Sequence, residues 1–174
     1  MKLTWFGDDT FRIHAAGTIV LVDEGEGALP AVDRAELVSG AELFGGFAGW
    51  QVRDPVAWKP RTPLRMLEAD EAMRRPEVVR LGPGVLVVDA DGEAPLVLAQ
   101  ADFAAVGRWL GQAIVVLIGE GLAARGAALL ERAAPRLIAL AGSEMEVEAA
   151  FDALRDRLDG TGLIALERGL AVEV

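Results

Sequence analysis

The chain has 174 residues, 17 Lys+Arg against 27 Asp+Glu for a net charge of −10, one histidine, and no cysteine or tyrosine. That length suits one domain, residues 1–174, able to bury a core without a covalent staple, and the missing thiols exclude disulfides, thiolate metal sites and a cysteine nucleophile. The acidic field opposes a nucleic-acid backbone, because the densest basic stretches, Lys59-Pro60-Arg61 and Arg74-Arg75, carry no interleaved stacking aromatics.

In chain order, the first forty residues read as a β-meander. Strands are expected at 2–6, 10–15 and 18–22, with Gly-Asp-Asp and Ala-Gly turns between them. The run 18–22 is almost wholly apolar, as in a strand buried on both faces. A polar Asp23-Glu-Gly-Glu-Gly loop follows, and 35–39 reads as a further short strand. Across 40–76, Gly45-Gly46 and Pro55, Pro60, Pro63 and Pro76 break any long element, leaving a short helix at 64–73. Trp50 and Trp58 fall in this stretch and Trp5 before it; core filling and partner contact both account for them.

The β pattern resumes at 77–81, 85–88 and 95–99, with Asp89-Ala-Asp-Gly-Glu as a hairpin turn. Helix and strand then alternate: helix 103–110, buried strand 113–118, helix 122–133 stopped by Pro135, buried strand 136–141, and helix 146–158. In the last, Val147, Ala150, Phe151, Leu154 and Leu158 form an apolar stripe at helical spacing. Strands 163–166 and 170–174 close the chain as a hairpin around Glu167-Arg-Gly. No apolar run approaches the roughly 20 residues of a membrane span. The N-terminal residues Lys2, Gly7, Asp8 and Asp9 contain no signal-peptide core. The expectation is a cytoplasmic α/β protein with neither membrane nor nucleic-acid partners.

Chemistry is narrowed by what is missing. His14, in an alternating strand, cannot form a multi-histidine metal site alone and is read as structural. Ser39 and Ser143, the only serines, lie outside any Gly-x-Ser-x-Gly elbow. Gly119-Glu-Gly121 sits between a buried strand and a helix but lacks the remaining features of a dinucleotide or phosphate loop, and Glu120 would oppose an anion. It reads as a tight strand-to-helix turn. The carboxylates Asp8-Asp9, Asp23-Glu24, Glu26 and Asp102 fall just past strand ends. There they suit turn formation, or oxygen ligation of a hard cation.

Three segments together carry a resemblance. Leu3-Thr-Trp-Phe-Gly7, Asp8-Asp-Thr-Phe11-Arg-Ile13 and Gly17-Thr-Ile-Val-Leu-Val-Asp23 resemble the opening of the metallo-β-lactamase superfamily, in particular the L-ascorbate-6-phosphate lactonase-like branch of predicted metal-dependent hydrolases. Val97-Leu-Ala-Gln-Ala-Asp102 is similar to the family's strand ending in Gly-Asp-Thr. Pro135-Arg-Leu-Ile-Ala-Leu resembles the strand that runs into Pro-Met-His, and Glu167-Arg-Gly-Leu-Ala-Val-Glu the terminal strand. The resemblance implies a shortened αββα four-layer sandwich. It also implies a lost dinuclear site: Asp8 stands where the family has its early histidine, and Ser39–Gly45, with only Glu42 as a ligand, stands at its histidine-rich loop. Ala141 or Gly142 stands at its late histidine, and Asp102 alone matches its metal-bridging aspartate. One aspartate cannot hold two ions and generate a hydroxide. The expected protein is therefore a pseudoenzyme with no metal, no cofactor and no catalytic residue, serving binding, regulation or assembly as a homodimer or beside an active paralogue. The alternative is a hydrolase with a rebuilt magnesium or manganese site on Asp8, Asp23, Glu42 and Asp102.

Overall fold

The computed structural model describes residues 1–24, 33–62, 74–102 and 107–174. The first strands form where the sequence alternates: β1 (Lys2–Gly7), β2 (Thr10–Ala15) and β3 (Thr18–Val22), paired antiparallel in succession. Ala16 and Gly17 both adopt positive φ, 46° and 76°, the two-residue turn whose twist matches that of the flanking strands. β4 (Leu43–Gly45) runs parallel to β3, and β12 (Ala171–Glu173) pairs antiparallel with β1, completing a five-stranded mixed sheet.

The second sheet is seven-stranded. Its order is β11 (Gly162–Ala165), β10 (Leu137–Ala141), β9 (Ile114–Ile118), β8 (Leu96–Ala99), β7 (Val85–Asp89), β6 (Glu77–Gly82) and β5 (Gln51–Val52). From β8 to β11 the pairing is parallel, and β8, β9 and β10 are near-continuous Val, Ile, Leu and Ala because both their faces are covered. One face packs Leu86, Val88, Leu98, Ile114 and Val116 against Leu3, Trp5, Phe11, Ile13 and Val20 of the first sheet. The other packs Val87, Val97, Val115, Leu117 and Leu140 against α2 (Leu122–Leu130) and α3 (Glu144–Leu154). The two helices close on each other at Gly126, where an added Cβ would lie 2.5 Å from Leu154 Cδ1.

On the outer face of the five-stranded sheet sits α1 (Arg34–Val38). Asp33 caps it by accepting from the Ala35 N–H, and Arg12, pointing away from the inter-sheet core, donates to the carbonyls of Glu36, Leu37 and Ser39. Arg34–Val38 is thus helical where a strand was expected at 35–39, with Ser39 as the C-cap. The other correction concerns the C-terminus. β11 and β12 do not form a hairpin: β11 adds parallel to β10, and the chain then crosses to the other sheet as β12. The last helix begins two residues earlier than expected and ends in a 3₁₀ turn, Arg155–Arg157. Of the expected helix 103–110, residues 103–106 lie outside the described residues and Arg108–Gln112 is 3₁₀. The helix expected at 64–73 also lies outside them. Among the described residues no helix is long and apolar enough to cross a membrane.

Candidate functional site

At one end of the sandwich the β1–β2 turn, the β9–α2 turn, the β10–α3 turn and the β11–β12 crossover meet around a cleft of about 530 Å³. The crossover is pinned from both sheets: the Leu166 N–H donates to Leu140 O at 2.8 Å, and the Gly169 N–H to Trp5 O at 2.7 Å. This sets Arg168 over the Trp5 ring, its Cζ 5.4 Å from the ring centre. Gly7 lets the guanidinium lie there, since a Cβ at Gly7 would stand 3.2 Å from Arg168 Nε. The Trp5 indole in turn donates to the carbonyl of Asp8, a residue held at φ 44°. Asp8, Asp9 and Glu120 line the same cleft.

Its far wall comes from the two helix starts. Ser143 caps α3 by accepting from the Glu146 N–H, and the Glu146 carboxylate accepts from Leu122 N–H at 3.1 Å, at the positive end of α2. Between them Gly142 is closed in: a Cβ there would meet Leu122 Cδ1 at 2.8 Å and the Gly119 carbonyl oxygen at 2.9 Å.

The sequence-predicted carboxylates take separate partners. Asp23 is buried, accepts from Thr10 Oγ1 at 3.2 Å and pairs with Arg34 at 3.0 Å. Glu42 pairs with Arg75 at 3.4 Å, and Asp102 with Arg125 at 3.6 Å. Asp8 alone of the four lines the cleft. Among the described residues no group of three or more His, Asp or Glu side chains is gathered to hold a metal ion. His14 lies at the opposite end of β2 from the cleft, exposed; partial burial, with Arg12 and Lys2 beside it, holds its imidazole below the ordinary histidine value. It accepts from Arg12 Nε at 3.4 Å and stands apart from Ser143 at the cleft.

Residues that sequence reasoning passed over, or in the case of Glu24 read as a turn former or oxygen ligand, do most of the positioning. Glu24 accepts from the Phe47 N–H and lies so close to Gly46 that a Cβ there would meet its carboxylate at 2.6 Å, so it closes the loop after β4. Glu146 had a visible signal, since Ser143-Glu-Met-Glu146 is a capping-box pattern, but its side chain reaches the neighbouring helix rather than its own. Arg168 and Arg125 carried no signal. A larger cleft, about 590 Å³ at the other end of the sandwich, is bordered by Arg61, Glu93 and Arg136 and contains none of the four carboxylates Asp8, Asp23, Glu42 and Asp102.

Comparison with protein-family models, with curated proteins and with solved structures finds no match to this chain.

Proposed function

We propose that this is a degenerate metallo-β-lactamase-like domain of the cytoplasm, without a dinuclear metal site, whose cleft serves binding, regulation or assembly rather than hydrolysis. It would work as a homodimer or beside an active paralogue. Two facing sheets with α1 outside one and α2 and α3 outside the other agree with the layering the resemblance implies.

The observation that carries the reading is Gly142. By the resemblance, Asp8 stands at the family's early histidine and Ala141 or Gly142 at its late one, and all three residues line one cleft. At Gly142 the space for a side chain is filled by Leu122 and by backbone. The change is more than a missing imidazole, because the surrounding packing has closed over the position where one would start. Likewise Glu24 closes the chain at Gly46 and Phe47, just past the segment aligned with the histidine-rich motif, and three of the four candidate carboxylates pair with arginines.

The test is metal content by elemental mass spectrometry on untagged protein dialysed against trace zinc, manganese and magnesium, together with a screen for phosphoester and lactone hydrolysis. Substoichiometric metal and no turnover are expected. Stoichiometric zinc with turnover would sink the reading. One equivalent of manganese or magnesium would instead favour the carboxylate hydrolase, with Asp8 and Asp102 the first residues to mutate.

A further inference from the structure

The C-terminal ends of the parallel strands β8 and β9 point backbone oxygens at one spot, and Arg125 of α2 fills it. Its Nη1 donates to Ile118 O at 2.7 Å and reaches Glu120 O at 3.4 Å. Its Nη2 donates to Ala99 O at 2.7 Å and reaches Ala101 O at 3.4 Å. The Asp102 carboxylate completes the ring 3.6 Å from Nε. Four carbonyl oxygens and one carboxylate around a single positive charge is the donor set that hard cations take from proteins. Here the charge comes from a side chain that is only 13% exposed and whose Nε is buried without a hydrogen-bond partner. Beside it lies a cavity of about 40 Å³ walled by Leu110, Leu117 and Leu129, larger than the roughly 10–15 Å³ a water needs.

We infer that the β8–β9 end is a cation site whose permanent occupant is the chain's own Arg125 guanidinium. This rests on the metal-free reading above and deepens it: the convergent oxygens hold their counter-charge covalently, so no external ion is required to keep these strand ends together. Burial pulls the guanidinium below arginine's ordinary value and Asp102 opposes that pull; it remains charged at physiological pH. Because Ile118, Gly119 and Glu120 also line the cleft, the same contacts fix one of its walls.

The experiment compares R125Q, R125K and R125Q/D102N with the wild type by thermal melting, with EDTA and with millimolar calcium. R125Q should melt lower by roughly 6 °C or more, as expected for loss of two charge-assisted hydrogen bonds, to Ile118 O and Ala99 O; Asp102 itself is 76% exposed. R125K, which keeps the charge with fewer donors, should recover at least half of that. Calcium should raise R125Q while leaving the wild type and R125Q/D102N unmoved, and EDTA should leave the wild type unmoved. Should R125Q not fold, a folded R125K supports the inference. R125K no better than R125Q, or calcium raising the wild type as much as R125Q, overturns it. Stoichiometric zinc in the wild type would sink the metal-free reading separately, without touching the lysine–glutamine comparison.

Discussion

Gly142→Ala tests the steric argument directly. The added methyl would sit 2.8 Å from Leu122 Cδ1 and 2.9 Å from the Gly119 oxygen, where ordinary contacts begin at about 3.4 Å. Neither neighbour can retreat easily. Leu122 is fully buried in the first turn of α2, and Gly119 is a backbone group whose own N–H is committed to Ala141 O at 2.9 Å. Overpacking of this kind costs roughly 1–3 kcal/mol, which in a chain of this length lowers Tm by about 2–12 °C. Gly82→Ala is the matched control, because its Cβ would meet nothing within 4 Å and its φ is ordinary; it should stay within about 0.5 kcal/mol of wild type. Differential scanning calorimetry and urea titration would measure both. Gly142→His needs the same Cβ and an imidazole besides, so it should melt lower still and acquire no zinc. A Gly142→Ala protein as stable as the wild type, or a folded Gly142→His protein that binds zinc, would refute the claim that the packing has closed over this position.

The α2–α3 contact gives a coupled pair. Gly126→Ala gains up to about 1 kcal/mol of helix propensity but pushes a methyl against the fully buried Leu154, for a net loss of about 0–2 kcal/mol. Leu154→Ala should cost roughly 2–5 kcal/mol alone, and the double mutant should be more stable than additivity allows; additive losses in urea titrations would show the helices do not meet as described. Asp89 titrates in a known direction. Its carboxyl is 2% exposed, and burial raises its pKa while the Arg61 N–H and guanidinium pull it down only partly. The folded state therefore holds this proton more tightly than the unfolded chain does. The stabilisation is fully present below the unfolded value of about 3.9 and is lost as pH rises through the folded value. Asp89→Asn keeps an acceptor for Arg61 and should gain on the wild type as pH rises above about 4; a gain that instead grows toward low pH would reverse the sign.

The parts of the fold that were legible share a cause. The runs at 18–22, 113–118 and 136–141 are apolar apart from Thr18 and Arg136 because each lies between two layers, and burial on both faces writes itself into composition. What was misread depended on partners distant in sequence. Residues 35–39 contribute one buried side chain, Leu37, and five residues are too few to display a helical period; the decision belongs to the Asp33 cap and to Arg12, more than twenty residues away. The chain around Glu167-Arg-Gly looks like a hairpin turn locally. Yet β11 finds β10 and β12 finds β1, so the choice is made by the open edges of two sheets, which no local pattern contains.

The candidate site divides along the same line. That the chain cannot build a multi-histidine or thiolate metal centre was readable because it is a matter of residue type: it has one histidine and no cysteine. How the strand ends and turns are filled was not readable, because it is a matter of spacing in three dimensions. Glu24 over Gly46, Leu122 against Gly142 and Arg125 beneath Asp102 each fill a position with a group from elsewhere in the chain. Unfilled, these positions would retain open space and unpaired oxygens, at a cost of roughly 1–3 kcal/mol for each buried acceptor left alone. Here the strand-end oxygens at β8 and β9 have a guanidinium, the α2 terminus has the Glu146 carboxylate, and the space at Gly142 is occupied. Each of these positions is thus filled from within the chain, and the charged side chains that line the cleft are Asp8, Asp9, Glu120, Glu146 and Arg168.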